Sequence, residues 1–423
     1  MSYKTLFAIA AALDLETKQT DVKTAFLYGN IDEEIYVAQP EGLSNGTKQV
    51  CRLNKALYRL KQSPRVWYNT LADYLWELGF EPLAADLSVF AKGHTFVAIY
   101  VDDLLLVGPS KPDIQAIKDC LNANFDMTDL GPCSYYLGMS VTRDRPNCTL
   151  RLGQRGYMEK VLRDFSMWES NPVDTPIAGN DLVKAPEGYQ APEDLRATFQ
   201  SAVGSLMYAM LGTRPDIAYA VSKVSRFASN PDKSYWQAVK RILRYLRGTV
   251  DADLVYRGPL TQLEGYTDAD WAGDKDTRRS TSGFVFSIGS GAISWSSKRQ
   301  PTVALSTCEA EYIGQTQATK EAIWLKSLLV ELGTEDDGPL ATIIHCNNQG
   351  AIALAANPVF HARTKHIDIQ HHFVREKVAE GKIQLNYMPT EQQIADGLTK
   401  PLSKDRFVLF RNTLGLEVPR QKH

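Results

Sequence analysis

The sequence predicts an α+β protein whose N-terminal part mixes strands and helices and whose C-terminal part is a compact mixed α/β domain. Three observations carry this. FVAIYVDDLLLVG, residues 96–108, is a pair of strand-length apolar runs meeting at adjacent aspartates, which reads as a hairpin. From Leu263 onward three strand-like segments (EGYTDADWAG, SGFVFSIG, GAISWSSK) precede a long helical stretch from Ser306 to Leu332 and then alternating strands and helices. Between these parts, residues 171–194 are rich in Pro, Gly and acid and poor in large apolar side chains, the composition of a linker.

The elements follow in order. Leu6 to Leu13 is apolar behind Lys4; it imitates a short signal peptide, but an amphipathic helix docked under the next strand is the simpler reading. A strand is expected around 18–27 and a basic helical stretch over 54–79. After the hairpin comes a helix from about Lys111, short strands at 135–144 and 149–157, and a helical connector over 197–248. In the C-terminal part a buried strand, ATIIHC, is followed by a short helix, a charged helical stretch from His366 to Gly381, the strand KIQLNYM and a final helix containing ADGLTKPL. The domains expected are 1–165, a linker and connector over 166–258, and 259–423.

Composition narrows the function. The 423 residues are 44% hydrophobic and 23% charged, an ordinary globular balance. Net charge is -2, from 47 basic and 49 acidic residues, so nucleic acid could be held only by local patches. Six cysteines without a C-x-x-C pair point to reduced thiols and an intracellular protein. No run of about 18 apolar residues is available to span a membrane.

Asp102 and Asp103 lie side by side between apolar strands, where each carboxylate suffers desolvation and mutual repulsion that divalent cations would relieve. Asp21, in KQTDVKTAFLYG, is a third carboxylate at a strand end, and three such groups from two strands can clamp two Mg2+ ions. Adjacent aspartates also suit a tight turn, so residue types alone leave both readings open.

The spelling goes further. YVDD at 100–103, QTDVKTAFLYG, LNKALYRLKQSPRVWY and FDMTDLGPCSYYLG resemble the reverse transcriptase of copia-type LTR retrotransposons. The resemblance continues through RYLRGT, YTDADWAG, STSGFVF, STCEAEY, HARTKHIDIQHHFVRE and IADGLTKPL, and so covers nearly the whole chain. It implies an incomplete right-hand polymerase palm and thumb followed by a ribonuclease H-like domain. It also implies Asp21, Asp102 and Asp103 as the polymerase carboxylates, holding two Mg2+ (or Mn2+), with RNA template, DNA primer, deoxynucleoside triphosphates and RNA/DNA hybrid as partners. Tyr100 and Val101 would lie against the primer end or template, and Phe26 would stand near the incoming sugar.

Residues 51–65 hold Arg52, Lys55, Arg59, Lys61 and Arg65 with no acid, a candidate phosphate-contacting strip. Lys61 and Gln62 fall in the LKQSP segment that the resemblance sets beside the template. Arg59 stands where the family has glycine. Only 20 residues precede Asp21, so the resemblance implies a fragment of a Pol polyprotein without its fingers subdomain, acting in the cytoplasm or nucleus.

A second carboxylate set comes from the same resemblance: Asp268, Glu311 and Asp396, again with two metals. The fourth position reads Asn347 in CNNQ, where the family has CDNQ. Arg278 and Arg279 with Ser280, and Lys298 and Arg299, are candidates for hybrid backbone contacts. His366, His371 and His372 are expected to be structural or substrate-facing instead of zinc ligands. A catalytically inactive nucleic-acid-binding remnant is the alternative function that Arg59 and Asn347 favour.

Overall fold

The computed structural model describes residues 1–43, 46–179, 182–335, 340–356 and 368–419. A six-stranded sheet forms its first part, in the spatial order Glu81–Pro82, Val89–Lys92, Thr95–Tyr100, Asp103–Gly108, Glu16–Val22 and Met127–Pro132. Both faces of this sheet are covered. Leu104 and Leu106 enter a core with Trp67, Leu71 and Leu75 of the helix Ser63–Glu77 and with Ile114 and Leu121 of the helix Lys111–Asn124. Leu105 and Val107 point to the opposite core, with Phe7 and Ile9 of the helix Ser2–Ala12. That is why LLLV reads as an unbroken apolar run and does not alternate.

The helix Ser2–Ala12 is not amphipathic as expected: Ser2 and every residue from Lys4 to Ala11 are buried. Lys4 is 2% exposed. Its Nζ donates to the Leu211 carbonyl at 2.7 Å and lies 3.6 Å from the centre of the Trp295 ring. Trp295 Nε1 donates to the Met210 carbonyl at 3.1 Å. Met210 and Leu211 lie in the last turn of the helix Glu193–Gly212, whose carbonyls lack partners within the helix, so two distant side chains complete that terminus. Burial lowers the Lys4 ammonium to about 7.

Three further expectations are corrected. The strand at 18–27 ends at Val22, because Thr24 takes a left-handed backbone (φ +51) and Ala25–Tyr28 form a 3-10 turn. The helix expected from 54 starts only at Ser63, after Arg59 at φ +76, with a proline in its first turn. ADGLTKPL is not helical throughout: Ile394–Leu398 form a 3-10 turn, Pro401 follows, and the last helix is Lys404–Thr413.

A second sheet, in the order Leu416–Glu417, Asp253–Arg257, Thr149–Gly153, Met139–Asp144 and Tyr135–Tyr136, joins the end of the chain to its middle. Glu417 reinforces it by pairing with Arg151 at 2.6 Å and Arg257 at 2.8 Å. The connector supplies the helices Glu193–Gly212, Ala218–Ser225 and Lys233–Gly248.

The C-terminal sheet runs Gly291–Arg299, Thr281–Ile288, Glu264–Ala269, Thr342–Cys346 and Ile383–Tyr387. Its first three strands are antiparallel and its last two pairings parallel. The helix Thr307–Glu331 packs against it and starts at a capped turn: Ser306 Oγ accepts from Glu309 N at 3.1 Å and Glu309 Oε2 from Leu305 N at 2.9 Å. The far end of this helix docks on the loop between the strands Glu81–Pro82 and Val89–Lys92 of the first sheet, where Trp324 Nε1 donates to the Ala85 carbonyl at 2.8 Å. No described helix is long and apolar enough to cross a membrane.

Candidate active sites

The first acidic site follows from strand register. Antiparallel pairing of Glu16–Val22 with Asp103–Gly108 places Asp21 directly opposite Asp103. Pairing of Tyr100 with Asp103 leaves Val101 and Asp102 as a two-residue hairpin turn, and Val22 N donates to the Asp102 carbonyl at 2.9 Å. All three aspartates are thus held at one strand end. Burial first, then the charges of Asp102 and Asp103, raise the Asp21 carboxyl above its ordinary value. Gln19 Nε2 donates to Asp103 Oδ1 at 3.1 Å.

Val101 has φ +58, a costly left-handed conformation for a β-branched residue. Trp67 Nε1, in the wall of the core, donates to the Val101 carbonyl at 2.6 Å and holds the turn in place. A second tight turn repeats the device. Leu137 (φ +47) and Gly138 (φ +78) join Tyr136 to Met139, and Tyr208 Oη donates to the Leu137 carbonyl at 2.8 Å. Sequence reasoning missed both anchors, because each lies more than 30 residues from its turn.

Tyr100 is exposed, while Phe26 is 7% exposed, its ring edge-on to Tyr58 at 4.6 Å. Lys61 is exposed, and Gln62 Nε2 donates to Glu33 at 2.6 Å. The φ of +76 at Arg59 accounts for a family glycine there, since only glycine adopts that backbone freely. Relief of about 1–2 kcal/mol of left-handed strain outweighs the roughly 0.5–1 kcal/mol that glycine costs in chain entropy. Arg59→Gly is therefore expected to stabilise the fold by about 0.5–1 kcal/mol in urea denaturation, and a loss of stability would contradict the strain.

The second site lies in the C-terminal domain. Asp268 is on the strand Glu264–Ala269, Glu311 on the long helix and Asp396 on the 3-10 turn, and they are 2%, 5% and 0% exposed. Gln393 fixes the turn: its Oε1 accepts from Ala395 N at 3.1 Å, while its Nε2 donates to the Thr267 carbonyl at 3.1 Å, next to Asp268. Asn347, just past the strand Thr342–Cys346, donates from Nδ2 to Asp268 Oδ1 at 3.2 Å. Thr399 donates to Asp268 Oδ2. Lys400 and Arg406 pair with Asp396 at 2.8 and 3.0 Å.

Thr399, Lys400, Arg406 and Gln393 are additional site residues; the first two sit inside the quoted ADGLTK motif. Burial, then the charge of Asp268, raises the Glu311 carboxyl to about 9, and burial likewise raises Asp268. Glu311 Oε2 is buried without a hydrogen-bond partner, and so is Asp396 Oδ1, whose contact with Lys400 is an ion pair without hydrogen-bond geometry. The unpartnered Glu311 Oε2 beside Asp268 fits a divalent cation, while Lys400 and Arg406 already balance the charge of Asp396. As the side chains stand, no group of three or more His, Cys, Asp or Glu among the described residues is gathered to hold one.

Without metal, the fold keeps a proton on Glu311 that the unfolded chain releases above its ordinary 4.5, so stability should fall as pH rises from about 4.5 to about 9. Thermal melts in chelator should show that decline, and Glu311→Gln should flatten it. An unchanged slope in the variant would place the effect elsewhere.

Arg278 (φ +56) and Lys298 are exposed, Arg279 is half-buried, Arg299 pairs with Asp274 at 2.6 Å, and Ser280 is buried. His366 lies outside the described residues, His371 falls within the helix Asp368–Ala379, and His372 is exposed on it.

A family model described as Reverse transcriptase (RNA-dependent DNA polymerase) matches residues 1–179. The Pol polyprotein of transposon TNT 1-94 from Nicotiana tabacum is 46% identical over 98% of this chain and 32% of its own length. A putative transposon Ty5-1 protein of Saccharomyces cerevisiae is 32% identical over 71% of this chain and 99% of its own. An RNase H1 structure, from a compost metagenome, covers 33% of this chain and 92% of that one at 15% identity and a TM-score of 0.26. The chain spans about a third of the length of the Pol polyproteins that it matches.

Proposed function

We propose, for a chain that belongs to the copia-type retrotransposon Pol polyproteins, that it is their reverse transcriptase and ribonuclease H region and carries a template-directed nucleotidyl-transfer site and a weakened hybrid-cleaving site. The observation that carries the reading is the register setting Asp21 opposite Asp103, with Asp102 in the adjoining turn. Two divalent cations, Mg2+ by this reading, would lower the pKa of the attacking oxygen and neutralise the phosphates.

Asp21, Asp102 and Asp103 hold that charge at the mouth of the sheet, and the raised pKa of Asp21 marks first its desolvation and then the repulsion from Asp102 and Asp103, both of which a cation relieves. The exposed Tyr100 and the held Val101 turn present the primer terminus to it. Phe26 lines the sugar side, and the basic strip around Lys61 meets template phosphates. In the second site Asp268, Glu311 and Asp396 take the same part toward a water directed at the RNA strand, with Asn347 contributing only a neutral amide. RNA template, DNA primer and deoxynucleoside triphosphates are the partners implied.

Primer extension on an RNA template tests the first site. Mg2+-dependent extension is expected, low but lost in Asp102→Asn and in Asp103→Asn. Extension unchanged by either variant would refute the assignment. The amide of Asn347, bonded to Asp268, and the strained Arg59 favour a second reading, a nucleic-acid-binding remnant without catalysis. Hybrid binding with no extension and no cleavage would select it.

A further inference from the structure

Away from both acidic sites, the linker and the helix Lys233–Gly248 border a solvent-open cavity of about 680 Å3. That volume suits a small organic ligand. Its interior is aliphatic, with Met167, Ile177, Val183 and Ile242 among the lining residues. Gln237 and three cations, Lys240, Arg241 and Arg244, also line it.

Among the described residues no carboxylate forms an ion pair with Lys240, Arg241 or Arg244. Arg241 donates from Nη2 to Thr175 Oγ1 at 2.9 Å, and its Nε is buried with no partner. Arg244 donates from Nε to the Asn171 carbonyl at 2.6 Å, which leaves its other guanidinium donors for a ligand. Burial, then the like charge of Arg244, lowers the Arg241 pKa, so the pair gains from an anion in the cavity.

We propose that this cavity binds a nucleotide, with the phosphate held by Arg241, Arg244 and Lys240 and the base inside the aliphatic chamber beside Gln237. Guanidinium forks match phosphate oxygens, and a flat, mostly apolar base with a polar edge matches a wall carrying one amide. A chamber this size with three cations on one side is shaped for an amphiphilic anion and not for a bare ion. The nucleotide is either free or the phosphorylated end of a strand. This inference is independent of the catalytic reading, because it uses no residue of either acidic site.

The test is calorimetry on the full chain in chelator, which keeps metal-dependent phosphate binding out of the acidic sites. The probes are dAMP, deoxyadenosine, inorganic phosphate and a short single strand with and without a 5′-phosphate. Binding of dAMP should be at least about tenfold tighter than of phosphate or the nucleoside alone. Arg244→Gln should weaken dAMP about tenfold with an unchanged melting temperature. Ala238→Trp, which fills the chamber and spares the cations, should reduce dAMP to the level of phosphate. A strand that binds only when phosphorylated, and more tightly than dAMP, would identify the strand end as the source; the reverse order would identify the free nucleotide. Absence of dAMP binding, or binding indifferent to Arg244→Gln, would overturn the proposal.

Discussion

Asn347→Asp raises Mg2+-dependent cleavage of an RNA/DNA hybrid by about tenfold or more, the largest gain of function expected from one substitution in this chain. Losing even an outer-shell partner of a metal ligand costs roughly 10–100-fold, and here a whole ligand charge is missing. The amide is not idle: its Nδ2 donates to Asp268 Oδ1 at 3.2 Å and so quiets one of the buried carboxylates. A carboxylate in its place removes that donor and adds a like charge beside Asp268, whose pKa burial already raises. The variant should therefore melt lower than the parent in chelator and regain the difference with Mg2+. Equal cleavage by both proteins would show that position 347 does not limit the site. Equal melting with and without Mg2+ would show that the added charge does not meet a cation.

Arg214→Met unfolds the connector at an expected cost of about 3–5 kcal/mol, the range for leaving one member of a buried ion pair alone. Arg214 and Asp216 are each 1% exposed. The guanidinium donates to Asp216 through Nε at 3.0 Å and Nη2 at 2.8 Å, and to Thr249 O and Oγ1 at 2.9 and 2.7 Å. Tyr245 Oη gives Asp216 a further hydrogen bond at 2.5 Å. Burial works against the guanidinium charge, but Asp216 outweighs it and the Arg214 pKa ends above its usual value. Urea denaturation measures the loss. Arg214→Met combined with Asp216→Leu should recover much of it, since an apolar pair leaves no stranded charge. A single variant within 1 kcal/mol of the parent, on the roughly 0.5 kcal/mol scale of a surface change, would mean that the network contributes little.

What the sequence disclosed depended on how far apart the interacting residues lie. The hairpin at 96–108 was readable because both strands and their turn are contiguous, and its composition shows the burial of both faces. Motif spelling singled out Asp21, Asp268, Glu311 and Asp396 as candidates, and the structure places each group on adjoining elements; that they hold metal is the proposal made above. Trp67 and Tyr208 left no local trace: an indole or a phenol on a helix looks like any core aromatic until the carbonyl that it meets is known. The pairing of Leu416–Glu417 with Asp253–Arg257 was equally silent, because two residues carry no periodicity. Element limits were misplaced where a single left-handed residue, Thr24 ending a strand or Arg59 delaying a helix, or a proline at 401 overrode an otherwise continuous pattern.

The helix Ser2–Ala12 also sets a schedule. Lys4 leaves the ribosome well before its partners: the indole that covers its ammonium belongs to residue 295 and the carbonyl it bonds to residue 211. At about 5–20 residues per second, the 291 positions between Lys4 and Trp295 take about 15–60 s to translate. For that interval an almost wholly apolar segment has no completed chamber to enter. The nascent polypeptide must carry it exposed or on a chaperone, and this helix can be fully covered only once the strand Gly291–Arg299 has been synthesised.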